Sequence, residues 1–203
     1  MHATNSQQQC PFRRLAILAS GTGTNAEHII KHFQHHALTT VTRVLSNKAD
    51  AGVLNRARRL KVPVGVFDRS TFYETDEVLE MLKAEADFVI LAGFLWKVPE
   101  KILRAFPNKI INIHPALLPK YGGKGMYGHH VHQAAIDHKE PVSGITIHFV
   151  NEHYDEGAIV FQQTVAVAPT DTPESLAQKI HKLEHTHFPA VIEAILSDNS
   201  THG

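Results

Sequence analysis

Cysteine is all but missing from these 203 residues: Cys10 stands alone, near the amino terminus. One thiol cannot close an internal disulfide, so the fold is no disulfide scaffold, and a reducing compartment, the cytoplasm, is expected. No apolar run approaches the ~18 residues of a membrane span. Residues 1–9 also lack the apolar segment of a signal peptide. An excess of one charge is absent too, since 20 Lys and Arg balance 20 Asp and Glu. That balance argues against a basic nucleic-acid face and against a membrane-surface protein. What is present is 43% hydrophobic and 20% charged, the make-up of a globular chain with a real core. No internal repeat or linker divides it. We expect a disordered leader over residues 1–12 and a single domain over 13–198.

The chain alternates short apolar runs with helical patterns. Arg14–Ser20 reads as a buried first strand, followed by Gly21-Thr22-Gly23-Thr24-Asn25 and a helix over 26–36. Glycines between strand and helix let the backbone approach a ligand, and the helix amino terminus favours a phosphate. The spacing also fits the dinucleotide fingerprint loosely. A NAD-binding unit carries an acid near the end of its second strand, and here the strand Thr40–Ser46 ends on Ser46, Asn47 and Lys48 instead. A single phosphate on a small substrate is the better reading. Among the 16 histidines, His28, His32 and His35 share one face of that helix, opposite Ala26, Ile29, Ile30, Phe33 and Ala37. They are read as its solvated side, with no metal called for.

Further on, the spacing predicts a helix over 50–61 capped by Asp50, a strand over 64–67, a helix over 71–83 and a buried strand, Phe88–Ala92. The loop Gly93–Pro99 is unusually apolar. Phe94 and Trp96 either line a pocket for a flat ligand or cover the sheet edge. Four glycines between Gly122 and Gly128 mark a turn, and a helix follows over 129–138. Strands over 144–150 and 159–167 form an antiparallel hairpin, and a last helix starts at Asp171 or Thr172 with Glu174 available for a capping box. The fold class is α/β: a mostly parallel, Rossmann-like sheet flanked by helices, with a late antiparallel hairpin.

One stretch organises the rest, Ile111-Asn112-Ile113-His114-Pro115. Side chains two apart on a strand share a face, and Pro115 ends the strand with His114 at its carboxyl end. An amide donor beside an imidazole suits oxyanion stabilisation and proton transfer. The plainer alternative is a turn-capping Asn and a core histidine.

Several motifs occur in order: Ser20-Gly21-Thr22-Gly23-Thr24-Asn25, Ser46-Asn47-Lys48-Ala49-Asp50, Leu91-Ala92-Gly93-Phe94, Asn112-Ile113-His114-Pro115 with Leu117-Leu118-Pro119, Asp155-Glu156-Gly157 and Glu184-His185. From Arg14 to about Leu196 the chain resembles the folate-dependent formyltransferases, and among them the phosphoribosylglycinamide formyltransferases. That resemblance implies formyl transfer from 10-formyltetrahydrofolate to the amine of glycinamide ribonucleotide, in purine biosynthesis. It implies a catalytic trio at Asn112, His114 and Asp155, and ribonucleotide contacts at Gly23, Thr24, Asn25 and Glu184. Folate contacts are implied at Leu95, Trp96, Lys97, Val98 and Asn112, with Arg69 shifted from the family's arginine, and a second wall at Asn151–Tyr154. Many relatives carry Met-Arg where Leu95-Trp96 stand. Alternatives are another formyl-folate enzyme, for whose extra domain we see no room, or a non-catalytic phosphate or folate binding module. The resemblance leaves monomer and homodimer open.

Overall fold

The structure, a computed structural model, describes residues 12–198; the leader, Phe12 apart, lies outside them. Seven strands form one sheet in the order β3-β2-β1-β4-β5-β6-β7. They are β1 Arg13–Leu18, β2 Thr39–Ser46, β3 Val64–Val66, β4 Phe88–Leu91, β5 Ile110–His114, β6 Val142–Phe149 and β7 Ile159–Ala166. The first five run parallel. The last two are antiparallel additions, as the hairpin pattern led us to expect.

Both faces of the sheet are covered, which is why its central strands are continuous apolar runs rather than alternating ones. Leu15 and Ile17 of β1 point into a core shared with α1 (Thr24–Phe33), α2 (Gly52–Arg59), α6 (His129–Asp137) and α7 (Pro173–Ser197). Ala16 and Leu18 point the other way, into a core with α3 (Arg69–Tyr73), α4 (Glu77–Glu85) and α5 (Glu100–Ala105). From β1 the chain winds outward through β2 and β3, then returns to place β4 on the other side of β1. The strand order therefore reverses between β1 and β4. A crevice opens at the carboxyl ends of those strands, the usual ligand site of such sheets.

The structure departs from the sequence reading at several points. The helix expected over 71–83 is two helices, broken at residues 74–76. Asp68 caps the first of them, Thr71 N–H donating to its carboxylate at 2.8 Å. Lys101 Nζ, from far along the chain, donates to the Thr75 carbonyl and to Asp76 and holds the break open. Helix α5 follows directly on the expected Gly93–Pro99 loop, with Pro99 at its N-cap, Glu100 in its first turn, Arg104 in its last and Ile102 buried. Asp50 does not cap α2, whose N-cap is Ala51 with no side-chain bond. The α7 capping box pairs Thr172 with Ser175, not Glu174. Ala37 lies beyond the end of α1 and is exposed. The α1 histidines are not simply solvated: His28 stacks on His185 of α7 at 4.1 Å, and His32 Nε2 lies 2.6 Å from Glu193.

Candidate active site

The cleft at the switch point has a volume of about 690 Å³. Its floor is tied together by Ser20, just past β1. The Ser20 N–H donates to the Gly93 carbonyl at 3.0 Å. Its hydroxyl donates to Asn47 Oδ1 at 2.7 Å and accepts from the Leu95 N–H at 3.0 Å. One side chain thus joins the loops that follow β1, β2 and β4.

At one end lies the glycine loop. Gly23 is the N-cap of α1 with φ +79°, a left-handed conformation that favours glycine. A β-carbon there would lie 2.5 Å from Val53 Cα, so packing of α2 excludes any other residue as firmly as ligand approach does. Thr24 and Asn25, whose N–H groups open α1 and have no partner within the helix, line the cleft. Asn25 Nδ2 donates to Glu184 Oε2 of α7 at 3.0 Å. Glu184 is buried, and that burial pushes its carboxyl up to about 7. Asn25 Oδ1 and His132 Nδ1 are buried without a partner among the described residues, and both residues line the cleft. Burial pushes His132 down to about 4, so it is neutral at pH 7. Unmet polar groups in a walled cleft are what a hydroxyl-rich ligand satisfies.

At the other end stand the amide, imidazole and carboxylate. Asn112 and His114 share a face of β5, as their spacing required. His114 Nε2 lies 2.7 Å from the Tyr121 carbonyl. A carbonyl only accepts, so this nitrogen carries the hydrogen and the other, Nδ1, is assigned as the open one. Nδ1 lies 3.6 Å from Asp155 Oδ2. Asp155 has φ +56°, and its Oδ2 accepts from the Gly123 N–H at 2.9 Å. The tight return that delivers it depends on Gly157, where a β-carbon would collide with the Phe149 carbonyl.

The sequence reading missed His148. It faces Asn112 in the β5–β6 register, and Asn112 Nδ2 lies 3.1 Å from His148 Nε2. His148 Nδ1 donates to the Phe149 carbonyl at 2.8 Å, which leaves Nε2 as a bare acceptor. Burial, the largest influence, lowers its pKa despite Asp155 Oδ1 at 3.7 Å, so it stays neutral. In the sequence His148 was only one polar member of an alternating strand. Its meaning depends on a cross-strand partner 36 residues away.

The residues named for folate are spread more widely. Leu95 is exposed and lines the cleft with Phe94 and Asn112. Trp96 packs instead into the second core, 5.9 Å from Phe72 and 6.0 Å from Phe67. Val98 is buried there too. Lys97 Nζ lies 5.7 Å over the ring of Tyr154, a residue of the cleft wall. Arg69 is exposed, its guanidinium 4.9 Å over Tyr73, and does not line the cleft. Among the described residues no group of His, Cys, Asp and Glu has the arrangement of a metal site. No helix among them is long and apolar enough to cross a membrane.

A doubly covered α/β sheet with a glycine loop at its switch point, and an amide–imidazole–carboxylate trio in the same cleft, defines a Rossmann-like protein with its site at the strand ends. Comparison with known proteins narrows this class. The chain belongs to the formyl transferase family, whose pattern it matches over residues 13–192. It is 40% identical over 193 residues to the chloroplastic phosphoribosylglycinamide formyltransferase of Arabidopsis thaliana, covering 92% of this chain and 66% of that one. It is 38% identical over 188 residues to phosphoribosylglycinamide formyltransferase of Haemophilus influenzae, covering 90% and 86%. The crystal structure of glycinamide ribonucleotide transformylase 1 from Symbiobacterium toebii superposes with a TM-score of 0.84 at 36% identity, over 93% of this chain and 89% of that one. The chain spans about two thirds of the length of the plant relatives, 66% and 65% for the two compared.

Proposed function

We propose that this protein transfers a formyl group from 10-formyltetrahydrofolate to the amine of glycinamide ribonucleotide, a step of purine biosynthesis. The observation that carries the reading is the meeting of Asn112, His114 and Asp155 at one end of a cleft whose other end is the glycine loop and Glu184. The names of the relatives point the same way. A single Cys10 suits the reducing cytoplasm as its compartment.

In this reading the phosphate rests on the backbone N–H groups of Gly23, Thr24 and Asn25. Glu184, un-ionised in part near pH 7, and Asn25 Oδ1 hold sugar hydroxyls. The cleft fits a flat heteroaromatic donor: Phe94, Leu95 and Tyr154 offer apolar walls within reach of Asn112 and His114. The donor supplies an electrophilic formyl carbon, and the ribonucleotide supplies the amine nucleophile. As the amine adds, charge develops on the formyl oxygen. The free N–H of Asn112 stabilises that charge, and so does His114 once its ring carries a second proton, on Nδ1. Asp155, 3.6 Å from Nδ1, is the counter-charge of that protonated ring and takes the proton the amine loses, directly or through a water. The intermediate then collapses: the bond between the formyl carbon and the folate nitrogen breaks, that nitrogen takes the proton, and tetrahydrofolate leaves. The reading needs only these two small-molecule substrates, and neither a nucleic acid nor a membrane enters it.

The decisive experiment is formylation of glycinamide ribonucleotide by purified protein, followed with and without 10-formyltetrahydrofolate. Formyl glycinamide ribonucleotide should appear only with the donor. Tight binding of both ligands without product would favour the binding-module alternative.

A further inference from the structure

Beside the cleft, unbalanced positive charge is concentrated on and around α2. Residues 47–61 carry Lys48, Arg56, Arg58, Arg59 and Lys61 against a single acid, Asp50. Burial of Val53, Leu54 and Ala57 fixes the rotation of α2, leaving Asn55, Arg58 and Arg59 on its exposed side. The helix is pressed against the glycine loop of the cleft. Val53 N–H donates to the Gly21 carbonyl at 3.1 Å, and Arg56 Nε donates to the Thr22 carbonyl at 2.9 Å. The three arginines, with Thr22, Gly52 and Asn55, line a depression of about 550 Å³. Thr22 also lines the cleft. The two cavities therefore share a wall, and that wall is the glycine loop.

The charges in the depression are not cancelled. Among the described residues Glu27 is the one carboxylate that meets them, contacting Arg56, Arg59 at 3.7 Å and also Lys31 at 2.8 Å. Lys31 and then Arg56 hold it down at about 2, so it is ionised, but three cations share its one charge. Arg58 donates to Asn55 Oδ1 at 3.1 Å and meets no carboxylate among the described residues. Guanidinium forks are matched to the oxygens of a phosphate, and three of them line this depression.

We propose that this depression is a second anion site, which takes the phosphate of a small phosphomonoester on the outer side of the glycine loop. This rests on the reading of the cleft as a ribonucleotide site, and gives that ribonucleotide a landing place one loop-thickness from its seat. A basic surface beside a site raises the local concentration of an anionic ligand and its rate of capture. A two-turn helix and a cavity of 550 Å³ suit a small ester better than a long polyanion.

The test uses the whole protein and inorganic phosphate, followed by amide and arginine Nε resonances. Two sets of shifts are expected, one at Gly23–Asn25 and one at Asn55, Arg58 and Arg59. The double variant Arg58→Gln, Arg59→Gln should lose the second set and keep the first. Phosphate shifts confined to Gly23–Asn25 in the wild type, or a second set unchanged in the variant, would overturn the site. So would a response at α2 to a heparin fragment but none to phosphate. In the formylation assay the variant should lose about fivefold in kcat/KM for the ribonucleotide at low salt. It should converge with the wild type at about 0.5 M salt, where such fields are screened. An inactive wild type would count against the formyl-transfer reading alone, because the phosphate titration needs no turnover.

Discussion

Asn112 and His148 are a matched donor and acceptor across the β5–β6 ladder, 3.1 Å apart, with the acceptor state of His148 enforced by the Phe149 carbonyl behind it. The amide of Asn112 is thereby turned so that Nδ2 has one hydrogen committed and one free. If that free hydrogen serves the transition state, Asn112→Ala should lower kcat at least ~100-fold with little change in KM. His148→Phe keeps the bulk but removes the acceptor, so kcat should fall by roughly tenfold. Steady-state kinetics on both variants decide this, and equal activity of His148→Phe and wild type would remove the histidine from the account.

Asp155 accepts from the Gly123 N–H at 2.9 Å and lies 3.6 Å from Nδ1 of His114. Asp155→Asn retains an oxygen for Gly123 and removes the charge. Turnover should fall by ~100-fold or more while ribonucleotide affinity and melting temperature stay near wild type. A parallel loss of stability and binding would show instead that the carboxylate serves the loop.

Gly23 is constrained from two directions. Gly23→Ala forces a side chain into a left-handed conformation, about 1–2 kcal/mol, and against Val53 of α2. We expect a loss of at least ~2 kcal/mol in stability together with weaker ribonucleotide binding. Thermal unfolding and calorimetry would report the two effects separately.

Glu184 links the cleft to pH. Its carboxyl is raised by burial from 4.5 to about 7, so the folded protein holds a proton that the unfolded chain releases. The stability this gives is complete below about pH 4.5 and is lost as pH rises towards 7. The loss is on the order of 3 kcal/mol. Glu184→Gln, which never ionises, should flatten this part of the stability curve. Denaturant unfolding of both proteins at pH 5 and pH 8 measures it; equal slopes would show that the carboxylate is solvated.

Trp96 packs with Phe67, Phe72 and Tyr73. Trp96→Ala should therefore cost about 3 kcal/mol of stability and change the KM for the folate donor little. Leu95→Asp, at the exposed cleft edge, should do the reverse. A comparison of melting temperatures and KM values checks both.

The legible parts of this protein were those in which one short stretch carries its own reason. Asn112-x-His114-Pro115 states its strand, its shared face and its end, and the Gly21–Asn25 turn states its strand-to-helix step. The parts that were not legible depend on distant groups. His148 acquires its role from Asn112 on another strand. The break between α3 and α4 is held by Lys101, 25 residues beyond Asp76. Trp96 looks in sequence like the lining of an apolar loop, and only the position of Phe72 on α3 shows that the loop turns it inward.

The Ser20 hydroxyl bridges the strand-end loops at Asn47 and Leu95. The ends of β1, β2 and β4 are thus already fixed relative to one another before any ligand arrives. Ordering of that floor belongs to the free energy of folding, and a ligand loses none of its affinity to it. The Gly123–Gly128 wall of the cleft is tied in a different way: its bond from the Gly123 N–H to Asp155 joins the course of that segment to the position of the carboxylate.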